Sequence, residues 1–220
     1  MRAFLGDGDR QYLTGLRMGG ARILILVDSS ASMLDASIVN VVRRRHLPAA
    51  EQRASAKWRR AVASVEWLVS QLPPAGEFQI YTFNTTAQPL VEGSAGRWLR
   101  NRDAPTLDRA IARLNEIVPQ GGTSLYQAFR AAEGLRPAAD NLILLTDGLP
   151  TQGAKRPSGS TVSGRDRLRL FERAVQVLAP GVPVNTLLFP MEGDPLAAAA
   201  YWKLAVLTRG SFISPARDWP

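Results

Sequence analysis

The sequence predicts an α/β domain built on a doubly wound, mainly parallel sheet with helices on both faces. Two observations support this prediction: short apolar runs alternate with segments of helical periodicity, and 220 residues are enough for one domain of ordinary size. Near-continuous apolar runs are typical of strands that are buried on both faces. Because parallel strands need crossover connections, the intervening helices favour parallel pairing.

Apolar, β-branched runs are the candidate strands. In chain order they are residues 22–27 (RILILV), 78–83 (FQIYTF), 141–146 (NLILLT) and 182–189 (VPVNTLLF). Residues 87–92 could add a short antiparallel edge strand, and residues 211–214 a final edge strand. The predicted sheet therefore has a buried parallel centre and weaker edges.

Apolar residues at helical spacing mark the candidate helices, each packing one face on the sheet. The three stripes are Trp58, Val62, Val65, Val69 and Leu72; Leu107, Ile111 and Leu114; and Leu168, Phe171, Val175 and Leu178. Residues 124–133 and 196–207 are expected to form further helices, the second with Asp194 as its N-cap. Trp58, Trp67, Trp98 and Trp202 are expected to pack in or around the core, and Trp219 to have no packing partner.

The domain is expected to span residues 22–214, between an N-terminal extension (1–21) and a C-terminal tail (215–220). Residues 35–54 are interpreted as an insertion between the first strand and the first clear helix. Residues 148–164, rich in Gly, Pro, Ser and Thr, are interpreted as a mobile loop.

Composition excludes several classes of function. The absence of cysteine excludes disulfides, zinc–thiolate sites and cysteine nucleophiles. The net charge of +8 permits an acidic partner, but no basic run is interleaved with aromatic residues, so nucleic-acid binding is not expected. No segment has the length of a membrane span or the pattern of a signal peptide. The chain is thus expected to be cytoplasmic, unless it is a piece of a longer membrane-anchored protein.

Oxygen-bearing side chains lie where predicted strands end. Asp28, Ser30 and Ser32 follow the first strand, and Asp147 follows the third. In an open α/β sheet, ligands bind outside the carboxyl ends of the strands, so these side chains should share one edge. Thr123, in a glycine-rich loop before a predicted helix, could add a hydroxyl. These are hard oxygen ligands, the kind that Mg²⁺ prefers.

The sequence therefore predicts a divalent metal site at Asp28, Ser30, Ser32, Thr123 and Asp147. Mg²⁺ is the expected ion, with Mn²⁺ or Ca²⁺ as alternatives. Two carboxylates should leave the site close to neutral once a divalent cation binds. Because Mg²⁺ demands octahedral geometry and is rarely caged by protein alone, the site should keep water or accept an oxygen from outside.

Three motifs together resemble those of the von Willebrand factor type A (VWA) domain family, which includes the integrin inserted domain. The segment DSSAS (28–32) looks like the family's DxSxS motif. The segment GGT (121–123) is similar to its second metal loop, and TDG (146–148) to its third. The element order also agrees, from about residue 22 to residue 214, which extends the resemblance to the Rossmann-like VWA fold.

The resemblance implies a metal-ion-dependent adhesion site. Ser30, Ser32 and Thr123 would contact the metal directly, whereas Asp28 and Asp147 would act partly or wholly through water. An acidic side chain of a partner protein would take the open coordination position. The insertion at residues 35–54 departs from the family pattern, which leaves the partner's access and identity open. The Arg-rich composition suggests a bacterial source.

Other interpretations of these residues remain. Asp28, Ser30 and Ser32 could satisfy backbone groups in a turn, and Thr123 could be a helix N-cap. An Asp at the end of a strand also resembles the haloacid-dehalogenase-type phosphatases, but Ser30 stands where those enzymes need a second Asp as general acid. His46, the chain's one histidine, lies in the insertion and offers no support for a serine hydrolase.

We therefore expect a non-catalytic, divalent-metal-dependent protein–protein interaction module. One alternative is a non-catalytic subunit of a larger machine, such as a chelatase-like or AAA-ATPase-associated complex; a phosphatase-like enzyme is another. The insertion places an arginine run beside apolar residues, which is typical of an interface but also of a solvated surface. These residues are Arg43, Arg44 and Arg45, and Ile38, Val39, Val41 and Val42.

Overall fold

The computed structural model describes residues 15–16, 19–157, 159, 161–216 and 219. Most of the predicted N-terminal extension, residues 1–14 and 17–18, lies outside this description. Leu16 is buried against the core and Asn141 donates a hydrogen bond to the carbonyl of Gly19. The described part of the extension therefore packs on the domain.

A mainly parallel sheet forms the centre of the described structure. Its strands are β1 (Arg22–Asp28), β2 (Glu77–Phe83), β3 (Ala87–Pro89), β4 (Leu99–Arg100), β5 (Asn141–Thr146), β6 (Val184–Leu188) and β7 (Phe212–Ile213). The order is β3-β2-β1-β5-β6-β7, and β4 also pairs with β2. Pairing is parallel except where β3 and β4 meet β2.

Helices cover both faces of this sheet, which confirms the predicted fold class. They are α1 (Ile38–Arg44), α2 (Ala49–Arg53), α3 (Ala56–Ser70), α4 (Ala104–Glu116), α5 (Leu125–Glu133), α6 (Gly164–Val175) and α7 (Ala197–Thr208). A short 3-10 helix (Ala31–Leu34) follows β1. The predicted insertion contains α1 and α2. Between Asp147 and α6, the described residues form neither helix nor strand.

Alternation along β1 divides the core into two layers, because successive side chains of a strand point to opposite faces. Ile23 and Ile25 face the side covered by α3 and α4. Leu24 and Leu26 face the side covered by α5, α6 and α7. The strand is buried on both faces, as its continuous apolar sequence predicted.

Three local predictions were wrong. Asp194 does not cap α7: Leu196 is the N-cap residue, and the Asp194 carboxylate instead bonds the loop after Asp147. Trp202 is 60% exposed, on the solvent side of α7. Trp219 does have a partner, because its ring packs edge-on against Trp67 with the centroids 5.3 Å apart.

None of the helices in the described part of the chain combines the length and the apolar character that crossing a bilayer requires.

Candidate metal centre

The carboxyl ends of β1 and β5 are neighbours, because these strands pair in parallel at the centre of the sheet. Asp28 ends β1 and is fully buried. Its two carboxylate oxygens accept hydrogen bonds from the Ser30 backbone N–H (2.9 Å) and from Thr146 Oγ1 (2.8 Å). The Asp28 side chain is thus held by its own loop and by the last residue of β5.

A chain of hydrogen bonds connects the first predicted metal loop to the third. Ser30 Oγ and Ser32 Oγ lie 2.9 Å apart, within hydrogen-bond distance. Ser32 Oγ donates to Asp147 Oδ1 at 3.0 Å. A hydroxyl has two acceptor lone pairs besides its proton, so each serine retains lone-pair capacity for a cation. The structure therefore brings the side chains of Ser30, Ser32 and Asp147 together at one edge of the sheet.

Thr123 reaches the same edge through its backbone. The N–H of Ala31 donates to the carbonyl of Gly121 at 3.0 Å, which ties the glycine-rich loop to the loop after β1. Gly121 has a φ of +75°, a backbone conformation that favours glycine. Thr123 is buried, and its N–H and carbonyl bond to the loop after β5. Ser124 caps α5 instead, which leaves the Thr123 hydroxyl without a capping role.

Lys57 is part of this cluster, and the sequence analysis did not identify it. Its ammonium forms an ion pair with Asp147 Oδ2 at 2.7 Å, and both side chains are almost fully buried. A signal was present: Lys57 lies on the buried stripe of α3 that continues with Ala61, Ser64 and Leu68. A lysine on such a stripe needs a charge partner, because buried lysines are almost always paired. The structure therefore adds a positive charge to the two carboxylates that the sequence analysis counted.

The fold disfavours the charged form of Asp28. Burial, and then the negative charge of Asp147, raise the pKa of Asp28 from its ordinary value of 3.8 to about 7. Hydrogen bonds from Ser30 and Thr146 act in the opposite direction but do not offset these causes. Among the described residues, the Lys57 ammonium bonds to the Asp147 carboxylate and not to that of Asp28.

The donor chemistry fits a hard divalent ion. The side chains meeting here offer carboxylate and hydroxyl oxygens, the ligands that suit Mg²⁺. No group of three or more acidic or histidine side chains with metal-binding geometry occurs within the described ranges. A metal at this edge would thus depend on the serine and threonine hydroxyls as well as on the two aspartates.

The base of the insertion borders the cluster. Asp35 is the first residue of the insertion, and its backbone carbonyl accepts a hydrogen bond from the Lys57 ammonium at 3.1 Å. Its carboxylate pairs with Arg44 at 2.9 Å. Beyond this base, α1 exposes Ile38 (54%) and Val39 (60%) to solvent. The insertion therefore begins at the cluster, and its helix α1 carries exposed apolar side chains.

An open groove of about 1320 Å³ lies beside the loop after β1, because Ser29 is among its lining residues. Gln120, next to the glycine-rich loop, also lines it. Its lining carries both signs of charge, with Arg109 and Arg113 of α4 and with Glu92 and Glu116. The groove therefore adjoins two of the candidate metal loops without a single charge sign.

The loop after Asp147 is held by residues on the face of the sheet opposite to α3, the helix that carries Lys57. Asp194 Oδ2 accepts a hydrogen bond from the Leu149 N–H at 2.6 Å and pairs with Arg167 at 2.8 Å. Tyr201 donates its hydroxyl proton to the carbonyl of Gly148 at 2.9 Å. Helices α6 and α7 therefore hold the loop that carries Asp147.

Structural comparisons identify the fold. A VWA protein from Catenulispora acidiphila superposes with a TM-score of 0.60 and 19% identity over 90% of this chain, which spans 39% of that protein. An aerotolerance-related membrane protein from Bacteroides fragilis superposes with a TM-score of 0.52 and 15% identity, and the match covers 90% of this chain and 92% of that protein chain. BatB from Bacteroides thetaiotaomicron superposes with a TM-score of 0.51 and 18% identity, and the match covers 88% of this chain and 89% of that one. No curated protein matches the sequence.

The family model described as von Willebrand factor type A domain matches residues 49–171, more than half of the chain. This range includes Thr123 and Asp147, whereas Asp28, Ser30 and Ser32 precede it. The sheet order and the structural neighbours extend the agreement to β1. The chain belongs to the von Willebrand factor type A domain family.

Proposed function

We propose that this domain is a divalent-metal-dependent protein-interaction module that binds an acidic side chain of a partner protein. The supporting observation is the hydrogen-bonded chain from Ser30 through Ser32 to Asp147, which brings two distant segments to one edge of the sheet. Membership of the VWA family suggests an interaction module. The metal and the acidic partner are the parts that experiment must test.

In this proposal, Ser30, Ser32 and Thr123 supply hydroxyl oxygens to the ion. Asp28 and Asp147 supply negative charge, directly or through water. A bound divalent ion would act as a Lewis acid that accepts an oxygen from outside the chain. The protein positions these side chains beforehand, because each aspartate is already held by hydrogen bonds.

Catalysis is not part of the proposal. The phosphatase-like alternative needs a general acid two residues after Asp28, and the residue there is Ser30, whose hydroxyl lies 2.9 Å from Ser32 Oγ. An unperturbed hydroxyl is a poor general acid near neutral pH. Incubation with Mg²⁺ and a generic phosphate ester should therefore release no phosphate above the level of an Asp28→Ala control.

Metal-dependent capture of a partner is the decisive experiment. Immobilised protein should retain a partner in Mg²⁺ and release it on addition of EDTA. Asp147→Ala should abolish retention, whereas Asp108→Ala, which removes an exposed carboxylate from α4, should not. Retention that is identical in Mg²⁺ and EDTA would refute metal dependence.

A further inference from the structure

The Lys57 ammonium is the feature of the site that the proposed function does not use. All three of its N–H donors are occupied: by Asp147 Oδ2 at 2.7 Å, by the Ser32 carbonyl at 3.1 Å and by the Asp35 carbonyl at 3.1 Å. The side chain is only 6% exposed. These contacts fix a positive charge against one of the two aspartates of the candidate metal centre.

The charge of the cluster follows from this geometry. Ionised Asp28 and Asp147 contribute two negative charges, and Lys57 cancels one of them. A divalent ion would then leave one net positive charge in the cluster. Without Lys57, the same ion would leave the cluster neutral, and an incoming anion would gain less from binding.

We propose that Lys57 is a specificity-determining residue that weakens divalent-metal binding and gives the metal-loaded site a net positive charge, which one carboxylate of the partner neutralises. This inference rests on the proposed function and assigns a role to a residue outside the predicted ligand set. Its action is electrostatic: the ammonium repels the incoming ion, and both cations attract the partner's anion.

The first part of the proposal is that Lys57 weakens metal binding. Titration calorimetry with Mn²⁺ alone as the probe tests this part. Lys57→Met should bind Mn²⁺ about tenfold more tightly than wild type, or better, because a nearby positive charge has been removed. Lys57→Gln should behave similarly, and Lys57→Arg should stay close to wild type. Lys203→Met, which removes an exposed lysine of α7, is the charge-matched control and should not change the affinity.

The direction of the change in Mn²⁺ affinity distinguishes an electrostatic role of Lys57 from a purely structural one. A lysine that only supports the loops would, when replaced, loosen the site and weaken Mn²⁺ binding. Weaker or unchanged binding in both Lys57→Met and Lys57→Gln would therefore overturn the inference. If the variants fold only in millimolar Mn²⁺, their Mn²⁺ affinity follows from the metal dependence of folding, and weaker binding than in wild type overturns the inference in the same way. If neither folds even then, the ion does not replace the ammonium and the inference is wrong.

The second part of the proposal is that Lys57 helps the metal-loaded site attract a carboxylate, and acetate is the probe for this part. At constant ionic strength, replacing chloride by acetate should tighten Mn²⁺ binding to wild type and to Lys203→Met more than to Lys57→Met. Equal effects on all of these proteins would show that Lys57 does not attract the carboxylate, and would overturn this part.

Failure of the inference is distinguishable from failure of the proposed function. Equal Mn²⁺ affinity in wild type and the Lys57 variants leaves the metal-dependent function intact and refutes the role of Lys57. Binding by Lys57→Met but not by wild type supports the electrostatic role and refutes metal dependence of the native chain. Absence of binding in every variant refutes both.

Discussion

Ser32 Oγ donates a hydrogen bond to Asp147 Oδ1 at 3.0 Å, although 115 positions separate the two residues in the sequence. The contact exists because β1 and β5 are adjacent parallel strands whose carboxyl ends lie at one edge. It joins the loop after β1 to the loop after β5. A ligand that reaches both residues should therefore stabilise the folded protein as a whole.

Divalent metal should raise the melting temperature. A ligand that binds only the native state stabilises it by about 2.7 kcal/mol at a hundred times its Kd. Asp28→Ala should abolish this effect because it removes a carboxylate from the centre of the cluster. Differential scanning fluorimetry in millimolar Mg²⁺ and in EDTA measures the difference.

Asp108→Ala is the control for the metal-induced shift, since it removes the same charge from an exposed position on α4. It should retain the full response. Identical melting of wild type in Mg²⁺ and EDTA would contradict the proposed metal site.

The hydroxyls of Ser30 and Thr123 should be needed for metal binding but not for folding. Ser30→Ala and Thr123→Ala should weaken Mn²⁺ binding while the circular dichroism spectrum stays unchanged. Both side chains are buried, so each substitution should also cost about 1 kcal/mol of stability. Calorimetric titration and urea denaturation measure the two effects. If either variant unfolds outright, its hydroxyl is structural and not a ligand.

Metal binding should depend on pH through Asp28, whose pKa burial and the charge of Asp147 raise to about 7. Because this pKa is higher when folded than when unfolded, the stability that protonation contributes is complete below about pH 4 and is lost as the pH rises through about 7. A metal ion competes with that proton. The stabilisation by Mg²⁺ should therefore increase from about pH 5 to about pH 8.

Thermal shifts in Mg²⁺ and EDTA across that range measure this dependence. Asp28→Asn, which cannot ionise, should show no increase of the metal effect with pH. A Mg²⁺ effect that is constant across the range in wild type would exclude a proton competing at Asp28.

The Arg167–Asp194 pair should stabilise the loop that carries Asp147. Asp194→Ala leaves Arg167 and the Leu149 N–H without this buried carboxylate, and removing one partner of a buried pair typically costs about 3–5 kcal/mol. Urea denaturation measures the loss. Glu116→Ala, which breaks the exposed Arg113–Glu116 pair, is the control and should change stability little. Equal stability of the two variants would show that the Arg167–Asp194 pair contributes nothing to stability.

The basic residues of the insertion should speed association with an acidic partner. Arg44 already pairs with Asp35, so the exposed Arg43 and Arg45 are the residues to reverse to Glu. The double variant should bind the captured partner more slowly and with weaker salt dependence, at nearly unchanged metal affinity. Surface plasmon resonance at several salt concentrations measures this.

The matched control reverses Arg100 and Arg102, which lie at the opposite end of β2. It changes the net charge equally but should leave the association rate nearly unchanged. Unaltered kinetics in the insertion variant would mean that its arginines are a solvated surface.

The sequence by itself determined the fold class and the strands at the centre of the sheet. Apolar periodicity is local information, and it placed β5 at its observed residues and β1 within one residue. It also brought Asp28 and Asp147 to one edge, because the ends of parallel strands coincide whatever the intervening helices do. Weak edge strands were harder: β4 has only two residues and no apolar pattern to reveal it.

Only the tertiary structure decided which distant polar groups meet. Lys57 pairs with Asp147 across 90 positions of sequence, and Asp194 bonds Leu149 across 45. Trp219 likewise packs on Trp67 of α3, which is distant from it in the sequence. Such pairs depend on how helices settle on the sheet, and no local pattern encodes that placement. The charge of the candidate metal centre, to which the Lys57–Asp147 pair contributes, therefore depends on the folded chain.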